Sequence, residues 1–207
     1  MSGALTRATY RLSEADLLSM VLDKEQLPSE LHGFEPVREG VLDNATLTEM
    51  GGFDLNADDL GKMGRITGYT REFVTTTPHA LFQEGTDLAV ATLPHLFDSE
   101  RAVSQWISEV FVPLFEQSMG RSEESGQRLL RCRRFNVDNL QDEAVGMEAL
   151  NKSPEGLVSS AVVDFRVGRL LGVVYLVSLG DVDRKELAKN LAVELERNMV
   201  RVVLGSS

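Results

Sequence analysis

The sequence predicts an α+β protein: an antiparallel sheet covered by two long amphipathic helices. Three observations predict it. Residues 65–75 and 87–97 carry β-branched and aromatic side chains at near-alternating spacing, and a helical apolar pattern follows them. Residues 161–167 and 170–179 are two apolar runs separated by Gly168-Arg169 alone. Leu187, Leu191, Leu195 and Met199 recur four apart, the spacing of a helix with one buried face.

At the N-terminus, Ser13 is placed to cap a short helix whose first turn holds Glu14 and Asp16 and whose apolar positions are Leu17, Leu18, Val21 and Leu22. Leu27-Pro28 should end it, because a residue before proline is pushed toward extended backbone. From residue 29 to 64 the pattern is weak. Phe34, Val37, Val41 and Leu42 suggest a strand and Leu47 with Met50 a short helix, while the Gly51-Gly52 and Asp58-Asp59 pairs read as turns.

The first strong unit comes next. Tyr69, Arg71 and Phe73 share one side of the strand 65–75, residues 76–86 form a connection containing Pro78 and Gly85, and 87–97 supplies a second strand. Asp98 or Ser99 then caps a helix whose broad apolar face runs through Val103, Trp106, Ile107, Val110, Phe111, Leu114 and Phe115. Pro113 should bend or end it, since proline removes a donor and crowds the preceding turn.

Residues 119–127, rich in Ser, Glu and Gly, read as a loop, and 128–137 as extended chain. Turns are expected at 139–143 and 151–156. Ala161, Val163, Phe165 and Val167 should line one side of a strand, with Gly168 at the first position of a type II′ turn. The returning strand 170–179 is apolar on both faces, which places it inside the sheet. Strand, strand and helix thus occur twice, over 65–117 and 159–203, suggesting a pseudo-duplication built on one shared core. The expectation is a single domain spanning 1–207, with a less defined region 1–64 and a core at 65–203.

The chain has 207 residues, enough to build a core without disulfides, and Cys132 is its only cysteine. Thirty-two acidic side chains against twenty-one Lys and Arg give a net charge of −11. That field repels phosphate backbones, so no nucleic-acid partner is expected. The longest apolar stretch, Leu170 to Val177, falls short of the roughly 20 residues a membrane helix needs, so no transmembrane segment is expected. The first residues hold Arg7, Arg11, Glu14 and Asp16 and do not form a leader. An extracytoplasmic location therefore requires a leader that has been removed; otherwise the chain is expected in the cytoplasm.

Three histidines, His32, His79 and His95, lie far apart and match no zinc-ligand spacing, so no metal or other cofactor is expected. Gly61-Lys62-Met63-Gly64-Arg65 is a basic turn without the length or ending of a phosphate-binding loop. Arg131, Arg133 and Arg134 around Cys132 would favour a thiolate, and Asp138, Asp142, Glu143 and Glu148 offer carboxylates. These groups carry the enzymatic alternative, a hydrolase using a thiol or carboxylate near 132–148.

Two binding sites compete with it. Arg128, Arg131, Arg133 and Arg134 form the one basic cluster in an acidic chain, suited to a small anionic ligand or to neutralising acidic residues of the protein itself. Trp106, Phe111 and Phe115, facing Tyr69, Phe73 or Tyr175, either pack as core or leave a pocket for an apolar ligand.

The segments Asp142-Glu143-Ala144-Val145-Gly146 and Val163 to Val174, with the closing helix, resemble a bacterial group of extracytoplasmic lipoprotein-like or sensor-like domains. The likeness extends over about residues 60–203. It implies an αβ sandwich related to the PsbP subunit of the oxygen-evolving complex, with 142–146 as the turn and strand before the last hairpin and Arg169 in the hairpin loop. It also implies a noncatalytic ligand-binding or sensor-like function. The third class of function is structural or self-association, with a protein partner or a second copy of the chain in a homodimer.

Overall fold

A computed structural model of the chain describes residues 2–50, 55–76, 83–117, 128–154 and 156–205. Seven antiparallel strands form one sheet in the order β1-β2-β3-β7-β6-β5-β4. They are β1 (Phe34–Val41), β2 (Arg65–Thr75), β3 (Asp87–Phe97), β4 (Arg128–Phe135), β5 (Ala144–Ser153), β6 (Gly156–Val167) and β7 (Leu170–Leu179). The helices are α1 (Ser2–Thr9), α2 (Asn44–Glu49), α3 (Ala57–Lys62), α4 (Glu100–Gln105), α5 (Val112–Gln117) and α6 (Lys185–Val203).

The two strong units join at the centre of the sheet, where β3 pairs with β7. Helix α6 lies on one face. Its Leu187, Leu191, Leu195 and Met199 are buried against Val163, Phe165, Val174 and Leu176, and the N-terminal 3-10 turns add Leu17, Met20, Leu22 and Leu31. The other face carries the helical run 100–117 and α2–α3, which bury Leu42, Leu47, Phe97, Trp106 and Phe111 against Val145, Met147, Val162 and Leu171. Side chains alternate across a strand, so one sheet feeds both layers.

The single shared core expected from the sequence is therefore two cores, back to back on one sheet. The expected pseudo-duplication also takes no symmetric form. A twofold axis relating antiparallel β3 and β7 would put both following helices on the same face, and they lie on opposite faces.

Local chemistry accounts for the boundaries. Ser99 Oγ accepts from the Ala102 backbone N–H and caps α4. The helix widens into a π turn over Trp106–Phe111 immediately before Pro113. Proline supplies no N–H, and a π turn relieves the backbone register at that point. Residues 14–19, expected as a helix, form a 3-10 turn, and 24–26 and 29–31 are two more. After that last turn, the described residues of the weakly patterned stretch 29–64 form β1, α2 and α3.

Gly168 has φ +58 and Arg169 does not share the positive φ, which agrees with the expected two-residue turn. Arg169 then turns inward. Its guanidinium donates to the carbonyls of Thr9 (3.1 Å), Phe97 (3.0 Å) and Leu12 (3.0 Å), and it stacks on the Tyr10 ring. This side chain ties the N-terminal segment to the hairpin.

Candidate functional site

The helices on the α4 face do not meet over the middle of the sheet. Met50, at the end of α2, stands on one side of the gap, and Trp106, Phe111, Leu114 and Phe115 stand on the other. Between them lies an apolar cleft of about 380 Å³ whose floor is Leu93, His95, Val162, Asp164, Val173 and Tyr175. A second lobe of about 310 Å³ shares Met50, Leu93, Val173 and Tyr175 and continues past Ala89 and Ala91 to Glu72. These volumes fall in the range of small-molecule sites.

Strand register explains which side chains reach the floor. Leu93, Val173 and Asp164 lie in one row across β3, β7 and β6, and His95 is one row away. Phe111 and Phe115 pack edge to face, with ring centres 5.3 Å apart, on the wall above. Trp106 packs edge-on against Phe97 and donates its indole N–H to Asp164 Oδ2 at 3.3 Å.

Asp164 is the outlier. Its residue is 1% exposed, and its second oxygen, Oδ1, accepts no hydrogen bond among the described residues. A buried acceptor left open costs about 1–3 kcal/mol, and more if it is charged. Burial pushes the carboxyl up to about 8, and the Trp106 hydrogen bond opposes that only in part. At neutral pH the group is mainly a protonated acid.

His95 is also buried, and its state is fixed from behind. Arg65 Nη2 lies 2.9 Å from His95 Nδ1, and the same guanidinium donates to the Leu42 carbonyl (2.7 Å) and to Asn44 Oδ1. With Nδ1 accepting, the imidazole hydrogen is on Nε2. Burial, and then Arg65, hold the ring well below the usual histidine range, so it is neutral. Gly68 sits opposite His95 because a Cβ there would fall 2.5 Å from Nδ1 and 2.8 Å from Arg65 Nη2. Burial brings Arg65 down to about 10, which leaves it a cation.

Of the residues singled out from the sequence, Trp106 and Tyr175 line the cleft. Tyr69 and Phe73 do not join them. Both pack into the α6-side core, and Tyr69 Oη donates to Glu39 at 3.2 Å. A register shift between Arg65 and Thr67 sets which side of β2 each residue takes.

Arg128, Arg131, Arg133 and Arg134 all fall on β4, an outer strand of the sheet. Arg133 and Arg134 are successive and so leave opposite faces, and the four form no single basic surface. Arg131 ion-pairs with Asp181. Neutralisation of the 142–143 turn falls to Arg166, whose guanidinium is 3.5 Å from Asp142 and 3.8 Å from Glu143.

The Cys132 thiol is pushed up to about 11 by burial, then by Glu116 and Glu148. The arginines beside it in sequence do not activate it. The carboxylates do not act on it together: Glu148, near the thiol, pairs with Lys185, and Glu143 accepts from Ser104 Oγ. The basic turn 61–65 is the end of α3, with Lys62 paired to Asp59 and Arg65 turned into the core. His32 is exposed and does not line the cleft, and His79 lies outside the described residues. Among the described residues no group of three or more His, Cys, Asp or Glu side chains is placed to hold a metal. None of their helices is long and apolar enough to cross a membrane.

Asp164 and His95 were not among the sequence-derived site residues. The available signal was a charged residue inside a run apolar on both faces, at Val162-Val163-Asp164-Phe165, and a histidine set in Leu93-Pro94-His95-Leu96-Phe97.

No protein-family model matches the chain, and no curated protein sequence matches it. Among solved structures, the fold is similar to that of the extracellular domain of PknH from Mycobacterium tuberculosis. The TM-score is 0.60 at 8% sequence identity, over 90% of this chain and 97% of that one.

Proposed function

We propose that this chain is a noncatalytic ligand-binding domain and that the cleft between α2 and the π turn is its binding site. One observation carries the reading: a buried carboxyl with an unsatisfied oxygen on the floor of an apolar cleft. A closed core would fill such a space or pair such a group, because both the void and the open acceptor are destabilising. A ligand in the cleft covers the apolar lining otherwise left to solvent.

The extracytoplasmic, sensor-like character implied by the resemblance is part of the same proposal. The extracellular origin of the similar fold supports it. The raised thiol of Cys132 argues against the thiol form of the competing hydrolase, since a protonated thiol is a poor nucleophile.

Trp106 is the only tryptophan and lies on the cleft wall, so its emission reports occupancy. Titration with the apolar dye Nile red should quench Trp106 and shift the dye emission to the blue, with one dye per chain. Val173→Phe, which places a ring on the cleft floor, should weaken that binding at least tenfold. Wild-type protein that leaves the dye emission unchanged, or a variant that binds the dye as wild type does, would refute the site.

A further inference from the structure

We infer that the outer edge of β4 is a docking strand for an extended acidic peptide, which pairs with its backbone and sets two adjacent carboxylates against Arg133 and Arg134. This interaction surface is separate from the cleft and does not depend on it.

The backbone carries the first half of the argument. Strand β4 ends the sheet and pairs only with β5, so alternate N–H and C=O groups along it face outward with no strand partner among the described residues. A register shift between Leu129 and Arg131 interrupts its start, but Arg131 to Phe135 pair regularly with β5 and include no proline. The opposite edge, β1, is less suited to a further strand. It holds Pro36, which lacks a donor, and a register shift between Pro36 and Arg38.

The side chains carry the second half. On β1 the charges are already paired: Glu35 with Lys24, Arg38 with Glu72, and Glu39 with Arg71. On β4, Arg131 takes Asp181, and Arg133 acts on that carboxylate only as a more distant charge. The acid across the ladder from Arg133 is Glu148, which Lys185 holds, and Arg134 lies across from Met147. Arg133 and Arg134 are thus exposed cations without an ion pair among the described residues.

Their placement on opposite faces is what a second strand matches. Directly opposed residues of paired strands share a face, and successive residues alternate faces, so two adjacent acids meet one arginine each. Opposite charges stabilise such cross-strand pairs and like charges destabilise them. The rule disfavours β4 of a second copy, which brings arginines of its own. Charges also turn apolar strands away from an edge, so the arginines select an acidic partner as well as attract it. Backbone pairing supplies affinity in this mode and the side chains supply specificity.

The test uses a fluorescein-labelled peptide of alternating threonine and valine with two adjacent glutamates at its centre, read by anisotropy against the whole chain. A companion of the same composition has its glutamates two positions apart, which puts both on one face. The adjacent-acid peptide should bind about fivefold or more tightly than the companion, and than a version carrying two lysines. N-methylation of every second amide, made in each of the two phases, should weaken binding about tenfold or more in one phase, because only one edge of the peptide pairs. Arg133→Gln and Arg134→Gln should each weaken it about threefold with urea unfolding unchanged, since both side chains are exposed. Amide exchange of residues 131–135 should slow in the complex. The inference is overturned if the adjacent-acid peptide does not bind at millimolar concentration, or if the companion binds as tightly. It is overturned equally if both methylated phases bind like the parent, which marks a charge contact without strand pairing. These peptide comparisons need no variant of the protein.

Discussion

Asp164→Asn is expected to make the protein more stable at neutral and alkaline pH, by about 2–4 kcal/mol at pH 7.5. The carboxyl sits near 8 in the fold, against an ordinary value near 4 when the chain is unfolded. Between those limits the folded state binds a proton that the unfolded state has lost. Folding stability from this group is therefore greatest below about pH 4. It falls by up to about 1.4 kcal/mol per pH unit as pH rises toward 8, and the penalty is constant above that. Asparagine keeps the carbonyl that accepts from Trp106 and removes the titration. Urea unfolding of both proteins from pH 4.5 to 8.5 checks it: the stability difference should be small at the acid end and grow with pH. A difference independent of pH, or a less stable variant at pH 8, would contradict the burial of an unpaired carboxyl.

The second large effect belongs to Arg169. Its residue is 8% exposed and its three carbonyl partners come from α1, the segment after α1, and the end of β3. Removing the guanidinium leaves those acceptors facing each other, and Arg169→Ala should cost about 3 kcal/mol or more. Arg169→Lys should recover less than half of that, since a single ammonium cannot span the three directions that the planar fork reaches. Urea unfolding gives the magnitude, and limited trypsin digestion gives the location, with faster cleavage at Arg7 and Arg11 in the variants. An alanine variant within 0.5 kcal/mol of wild type and equally resistant to trypsin would show that the N-terminal segment is held by other contacts.

How much the sequence discloses follows from where each element finds its partners. The final hairpin and α6 are legible because each carries its whole apolar pattern in its own residues, from Ala161 to Leu179 and from Leu187 to Met199. The helix 100–117 is legible for the same reason, down to the disturbance at Pro113. Strand β1 and helix α2 are only faintly legible, from Phe34, Val37 and Val41 and from Leu47 with Met50, because β1 lies at the sheet edge with most of its residues exposed and α2 is six residues long. Helix α3, where the Asp58-Asp59 pair reads as a turn, is held by the Asn56 cap and by packing against the sheet, which a local pattern does not contain.

Function was less legible still. An aromatic such as Trp106 announces burial, but whether Tyr69 joins it depends on a register shift four residues earlier. The arginines on β4 are conspicuous by composition and are divided between two faces by geometry. Asp164 draws little notice as one acid among thirty-two, and its burial and unsatisfied oxygen are visible only in the fold.

The most direct test of the account is the titration of Asp164 itself, followed by carboxyl-carbon NMR on aspartate-labelled protein and assigned by its absence in Asp164→Asn. One carboxyl with a midpoint near 8 in the free protein is the expected result. If every aspartate titrates below pH 5, the carboxyl is solvated or paired, and the buried, unpaired acid on which the account rests does not exist.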